Sequence, residues 1–329
     1  MTLRAEVSSK DRAVGALLGL AVGDAIGTTG EFQTRDSYPP LTGPIGGGPF
    51  NLDPGQWTDD TSMALCLADA LLRKEGFDEK DLMDRFVSWW EGNGYSCTGT
   101  CFDIGNTVLQ ALSRYQSTGN PRSGSSDPRS AGNGYLMRVS PVAICCWKDA
   151  QQAANLARRQ SITTHAAPAA VEACAYFVTM LVGAIQGADR ETVLAARAWS
   201  KNADVASVAM GDWRAKTRKE IKSDGYVINS LEAAVWSAGT SSSFPEAVLK
   251  AANLGEDADT FAAITGQLAG ALHGASAIPK DWLDVLAWRD ELNERAEALF
   301  FHGCQQVSHP LKKETSIDTA RLECRRLRC

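Results

Sequence analysis

Along most of the chain the apolar positions recur at helical spacing, and runs with the strict alternation of a half-buried strand are absent. Met63, Leu67 and Leu71, followed by Leu82, Phe86, Trp89 and Trp90, predict two amphipathic helices. Ser9 or Asp11 is placed to cap a first helix that reaches about Gly27. Further helices are expected from Phe102, around Val139, from Pro168 to Gln186, and from Glu191, Tyr226, Pro245, Ala258 and Asp281. On the first helix Gly15, Gly19, Gly23 and Gly27 fall on one face. Each interior glycine costs roughly 0.8–1 kcal/mol relative to alanine, so this face predicts another backbone in close approach. Between Thr28 and Gln56, Pro39, Pro40, Pro44, Pro49 and Pro54 are mixed with Gly30, Gly43, Gly46, Gly47, Gly48 and Gly55. No helix survives that composition, and a loop so long inside a compact domain is usually functional. No repeat of solenoid period is present. The expectation is one all-α domain over residues 1–308, with residues 309–329 a basic tail or short appended helix.

Composition narrows the class. The chain has 329 residues, 44% hydrophobic and 22% charged, which is ordinary for a globular protein and sufficient for a large core. Thirty-three basic against 39 acidic side chains give a formal charge of −6. That balance argues against a general nucleic-acid binder, which needs cations to displace phosphate counterions. The most apolar stretch, Ala166 to Ile185, holds Pro168, Glu172 and Thr179 and reads as a buried helix rather than a membrane span. The N-terminal apolar run from Ala13 to Ile26 contains Asp24 and opens at Asp11, unlike a cleaved signal. No membrane partner is expected, and a cytoplasmic location is. The nine cysteines include no CxxC pair and there are four histidines, so buried free thiols are expected rather than zinc or redox chemistry.

The candidate chemistry lies in two acidic clusters. In Gln56-Trp57-Thr58-Asp59-Asp60-Thr61, Thr58 reads as an N-cap with Asp59 and Asp60 in the first turn. In Gly255-Glu256-Asp257-Ala258-Asp259-Thr260 the carboxylates alternate just before an apolar helical run. Taken alone, such clusters usually do no more than cap a helix and complement its dipole. Brought together, four carboxylates would repel strongly, and two divalent cations would neutralise them. Carboxylate and hydroxyl oxygens are hard donors suited to Mg²⁺ or Mn²⁺.

Six segments in order then carry a resemblance: Asp11–Phe32 (DRAVGALLGLAVGDAIGTTGEF), Gln56–Thr61 (QWTDDT), Asp103–Thr107 (DIGNT), Gly132–Arg138 (GNGYLMR), Thr164–Pro168 (THAAP) and Gly255–Gly270 (GEDADTFAAITGQLAG). Together they resemble the ADP-ribosylglycohydrolase family, which includes dinitrogenase reductase-activating glycohydrolase and ADP-ribosylarginine hydrolases. The resemblance implies an all-α orthogonal multi-helix bundle holding two Mg²⁺ or Mn²⁺ ions. It implies metal ligation by Thr58, Asp59 and Asp60 from one side and by Asp257, Asp259 and Thr260 from the other. Glu31 matches the family's glutamate near metals and substrate, and Asp103 an aspartate lining the scissile bond. Read from the residues alone, Asp103 at the start of a helix is more often a cap, and Glu31 in a loop is more often solvated.

The implied reaction removes ADP-ribose from a protein side chain, foremost by cleaving the N-glycosidic bond to arginine. Serine O-linked ADP-ribose and poly(ADP-ribose) are the alternative substrates, and a crystallin-like structural or binding role is the alternative outside catalysis. An acidic protein must hold the pyrophosphate mainly with backbone N–H groups. Gly132-Asn133-Gly134 and Gly105-Asn106-Thr107 are the candidates for that, with turn chemistry as their simpler explanation. Tyr226 sits where the family places an aromatic that stacks on adenine. His165 reads as a hydrogen-bonding wall of the pocket rather than a general base.

Overall fold

A computed structural model describes residues 7–306 apart from positions 75, 200 and 201. Its helices in chain order are α1 (Ser9–Gly27), α2 (Asp59–Leu71), α3 (Glu79–Gly92), α4 (Asn106–Thr118), α5 (Ser140–Cys145), α6 (Ala150–Thr164) and α7 (Pro168–Ile185). They continue with α8 (Arg190–Val193), α9 (Ala203–Met210), α10 (Val227–Gly239), α11 (Phe244–Ala252), α12 (Ala258–His273), α13 (Lys280–Val285) and α14 (Arg289–Gln306). Among the described residues there is no strand, only isolated bridges such as Gly132 with Tyr226. The all-α expectation holds. The basic segment 309–329 lies outside the described residues.

Several boundaries differ from the sequence pattern, each for a local reason. The cap of α1 is Ser8, whose hydroxyl accepts the Asp11 N–H, while the Asp11 carboxylate reaches Ser276 instead. The helix expected from Phe102 starts only at Asn106, because Asp103 is held at φ 59°. The one expected from Glu191 is a single turn. The helix expected from Asp281 is broken in two, α13 and α14. At the break the Ala287 N–H donates to the Gly55 carbonyl, and the Ala287 carbonyl accepts from Trp57 Nε1, each at 3.0 Å. Helices α6 and α9 were not signalled; the buried face of α6 is largely Ala153, Ala154 and Ala157, too small to mark a strong apolar period.

The core is organised around α1 and α12, buried from Ala13 to Gly27 and from Ala258 to Leu272. They run antiparallel with backbones in contact, Gly15 against Gly270, Gly19 against Gly266, Gly23 against Ala262 and Gly27 against Ala258. A Cβ on Gly19 would stand 2.3 Å from the Gly266 carbonyl oxygen, and one on Gly266 would stand 1.9 Å from that of Gly19. The small-residue face predicted to admit a second backbone therefore does so, and helices α5, α7, α10, α11 and α14 pack around the pair. The Ser9–Gly30 segment and α7 are long and apolar enough to cross a bilayer by composition, but 94% and 67% of their apolar windows are buried in the fold. Cys66, Cys145, Cys146 and Cys174 are buried free thiols, whereas Cys97 and Cys101 are only half-buried.

Candidate active site

The close approach of α1 and α12 sets the C-terminal turn of α1 beside the N-terminus of α12. Asp24 projects from α1 into that junction, fully buried. One of its oxygens accepts the Thr58 N–H and the Thr58 hydroxyl, both at 2.9 Å. The other accepts the Thr61 N–H at 3.0 Å and the Thr61 hydroxyl at 2.6 Å. A side chain from another helix thus caps α2, satisfying donors that its own first turn leaves open. Thr58 occupies the N-cap position, as expected, but its side chain makes no cap bond. Its hydroxyl oxygen lies instead 3.3 Å from Asp60 Oδ2 and 3.4 Å from Asp259 Oδ2.

The two acidic clusters meet there. Thr260 Oγ1 lies 3.5 Å from Asp60 Oδ2, joining positions 200 residues apart. Asp24, Asp60 and Asp259 bring one oxygen each within 4.8 Å of one another, and so do Glu31, Asp257 and Asp259. Asp259 belongs to both groups. Two backbone hydrogen bonds fix the loops that carry Glu31 and Asp257, Phe32 N–H to the Glu256 carbonyl at 2.8 Å and Glu256 N–H to the Gln33 carbonyl at 2.7 Å. Phe32, Asp103 and Glu256 all have left-handed backbone around this site, a conformation costly for side chains of their size and one that clusters where geometry is over-determined. The Glu256 side chain itself faces solvent.

So many buried carboxyl groups shift one another. Burial and the Asp259 charge push Asp24 and Asp257 up to about 7. Asp103 is pushed up to about 11 by burial and by the charges of Asp259 and Asp59. Burial, with Asp259 and Asp257 nearby, carries Glu31 far above the usual carboxylate range. Asp59 and Asp60 are raised by burial and by their acidic neighbours. Asp60 Oδ1 is buried without a hydrogen-bond partner. An orphaned carboxylate oxygen, an all-oxygen donor set and uncompensated negative charge are what a hard divalent cation corrects, so the residues present fit metal ions.

A pocket of about 230 Å³ opens over this cluster. Glu31, Asp59, Asp103, Asp257, Asp259 and Thr260 line it together with Gly105, Asn106, Thr107, Gly132, Asn133, Gly134 and His165. Thr58 and Asp60 do not line it. The N-terminus of α4 faces the cavity with no side chain capping it, leaving its first N–H groups available to an anion. The Asn133 side chain does more than shape a turn: its Nδ2 donates to Asp257 Oδ2 at 2.6 Å and to Ser230 Oγ at 2.9 Å. Tyr226 stands exposed beside the pocket rather than lining it, its hydroxyl donating to Asp204 at 3.2 Å.

His165 is buried, and burial together with the Arg138 charge lowers it to about 3, so its ring is neutral and a weak base. Arg138 is wholly buried and donates to the Gly134 carbonyl at 3.1 Å and to Thr164 Oγ1 at 2.9 Å, which in turn meets His165 Nδ1 at 2.9 Å. Since the guanidinium only donates, the Thr164 hydroxyl proton is free for His165 Nδ1, which leaves Nε2–H on the pocket side. Sequence reasoning missed Asp24 and Arg138. The signal for each was a charged residue inside an otherwise apolar run.

Residues 5–309 match the family described as ADP-ribosylglycohydrolase. The chain is 43% identical over 296 residues to ADP-ribosylarginine hydrolase Tri1 of Serratia proteamaculans, covering 90% of this chain and 81% of that protein. It is 31% identical over 294 residues to the ADP-ribosyl-[dinitrogen reductase] glycohydrolase of Rhodospirillum rubrum, covering 88% and 95%. Among solved structures it resembles an ADP-ribosylglycohydrolase-related protein complex, with a TM-score of 0.81, 39% identity, and 90% and 99% of the two chains covered.

Proposed function

From the premise that this chain belongs to the ADP-ribosylglycohydrolase family, we propose that it hydrolyses the N-glycosidic bond joining C1″ of ADP-ribose to an arginine guanidinium nitrogen of a modified protein. The observation that carries this reading is the sharing of Asp259 between two carboxylate groups at the floor of one pocket. The choice of arginine rests on the 43% identity to an ADP-ribosylarginine hydrolase. A crystallin-like role is disfavoured because the complete set Thr58, Asp59, Asp60, Asp257, Asp259 and Thr260 is retained, and a retired site has no reason to keep it.

Two divalent cations on these oxygens, Mg²⁺ or Mn²⁺, would neutralise the carboxylates and supply positive charge to the ribose 2″ and 3″ hydroxyls. The remaining work falls to the chain. The α4 N-terminus offers backbone N–H groups to the pyrophosphate, and Gly132, whose own N–H is taken by the Ser130 carbonyl at 2.8 Å, and Gly134 allow its close approach without a cation that would compete for the carboxylates. His165 offers a neutral N–H donor. Positive charge develops on the sugar as the bond to nitrogen breaks, and the surrounding carboxylates stabilise it in place. A carboxyl oxygen of Asp103 passes a proton between attacking water and departing nitrogen, with Glu31 holding the opposite side. A correctly placed acid–base group contributes about 10²–10⁴-fold.

The test is a panel of peptides carrying ADP-ribose on arginine or on serine, together with poly(ADP-ribose), incubated with Mg²⁺, with Mn²⁺ or with chelator. Release of ADP-ribose from the arginine peptide, lost with chelator, is expected. Preference for serine linkage or for polymer would replace the arginine reading, and no release from any substrate would return the chain to a binding role.

A further inference from the structure

The two carboxylates proposed to face the scissile bond are each next to a phenylalanine, Glu31 to Phe32 and Asp103 to Phe102. Phe50, from the Gly/Pro-rich loop, joins them. Its ring meets Phe32 at 6.1 Å between centroids, edge to face at 73°, and meets Phe102 at 5.1 Å and 53°. An aromatic arch therefore spans the gap between the two loops. Phe32 lines the pocket yet is 65% exposed, the largest exposure among the large apolar side chains described. Its backbone is held left-handed at φ 59°, and its N–H is pinned to the Glu256 carbonyl at 2.8 Å. Core packing does not account for a ring that is held in a costly backbone conformation and left facing solvent at the mouth of a pocket.

Resting on the reading of the site as an ADP-ribosylarginine hydrolase, we infer that the Phe32–Phe50–Phe102 arch is the seat of the substrate's guanidinium group and sets the preference for arginine. Hydrogen bonding and shape both point to that occupant. The carboxyl oxygens of Glu31, Asp59 and Asp103 line the pocket and can accept from the several N–H groups of a guanidinium. A planar, weakly hydrated guanidinium stacks on an aromatic face, whereas a serine oxygen offers nothing for the ring to hold. Phe32, exposed at the pocket edge, presents its ring to the leaving group, and Phe50, itself packed against Phe102, supports it. The contact lies outside the ADP-ribose portion and acts on which linkage is accepted.

The inference is tested with Phe32→Ala, Phe32→Leu and Phe32→Tyr, measuring KM on ADP-ribosylarginine and ADP-ribosylserine peptides and ADP-ribose affinity by calorimetry. Phe32→Ala is expected to raise KM for the arginine peptide by about two- to thirty-fold, the range of a cation–π contact. Affinity for free ADP-ribose and KM for the serine peptide should hold within about two-fold. Phe32→Leu keeps apolar bulk without the ring and should behave as Phe32→Ala, while Phe32→Tyr should behave as the parent. An unchanged KM in Phe32→Ala, parent-like behaviour of Phe32→Leu, or a parallel fall in ADP-ribose affinity would each overturn the assignment. Failure of the unsubstituted protein to bind ADP-ribose or cleave the arginine peptide would instead remove the reading beneath it, and the arch with it.

Discussion

Asp24 and Thr58 are joined twice through one carboxylate oxygen, which accepts both the Thr58 N–H and its hydroxyl at 2.9 Å. The cap of α2 is thereby supplied by α1, and the Thr58 oxygen is turned toward Asp60 and Asp259. A helix cap and a cluster-orienting contact are the same interaction.

Replacing Asp24 should therefore separate stability from activity. Asp24→Asn keeps one acceptor oxygen for the cap but removes a negative charge from the group it forms with Asp60 and Asp259. Loss of a helix cap costs about 0.5–2 kcal/mol; part of that should be offset here, since one repelling carboxylate is gone. Chemical denaturation should show a small change, while calorimetry should show Mn²⁺ binding weakened at least tenfold and ADP-ribose release should fall with it.

Asp60→Ala and Asp257→Ala each remove oxygens from one of the two carboxylate groups that share Asp259. Each is expected to abolish ADP-ribose release at saturating Mg²⁺ while the far-UV circular dichroism stays that of the parent. Full turnover in either variant would contradict the assignment of these residues to cation binding.

The contact between α1 and α12 predicts a sharp contrast among glycines. Gly19→Ala places a methyl 2.3 Å from the Gly266 carbonyl oxygen, so the helices must part. Overpacking of this kind costs about 1–3 kcal/mol, and the displacement should also separate Asp24 from Asp259 and lower activity. Gly183→Ala, on α7, meets nothing nearer than Val193 at 3.9 Å. It should be neutral or stabilising by about 0.5–1 kcal/mol. Thermal denaturation of the two variants side by side provides the comparison.

Stability should also depend on pH in a direction set by the buried acids. Asp24 and Asp257 are pushed up to about 7 by burial and by the Asp259 charge. The folded chain keeps protons that the unfolded chain releases above about pH 4. Their contribution is thus complete below that value and is lost as pH rises through about 7. In chelator, Tm should fall between pH 5 and 8.5. Added Mn²⁺ should raise Tm, and by more at the higher pH, because cations bind the ionised oxygens. A cation effect independent of pH would contradict the proposed competition with protons.

The sequence by itself determined the helical character, the small-residue face from Gly15 to Gly27, the irregular loop after it and the two acidic clusters. These are local properties: period, propensity and charge are legible wherever neighbours in sequence are neighbours in space. The weakly patterned α6, with its alanine face, escaped that reading, and so did the break between α13 and α14, which Trp57 and Gly55 impose from more than two hundred residues away. Only tertiary structure decided that Asp24, an acid in an apolar helix, caps α2 and joins Asp60 and Asp259, and that the Phe50 ring links Phe32 to Phe102. The reason is the backbone contact of α1 with α12. Because no side chain keeps these helices apart, carboxylates more than two hundred residues distant are pressed together, and a bound cation would relieve their mutual repulsion.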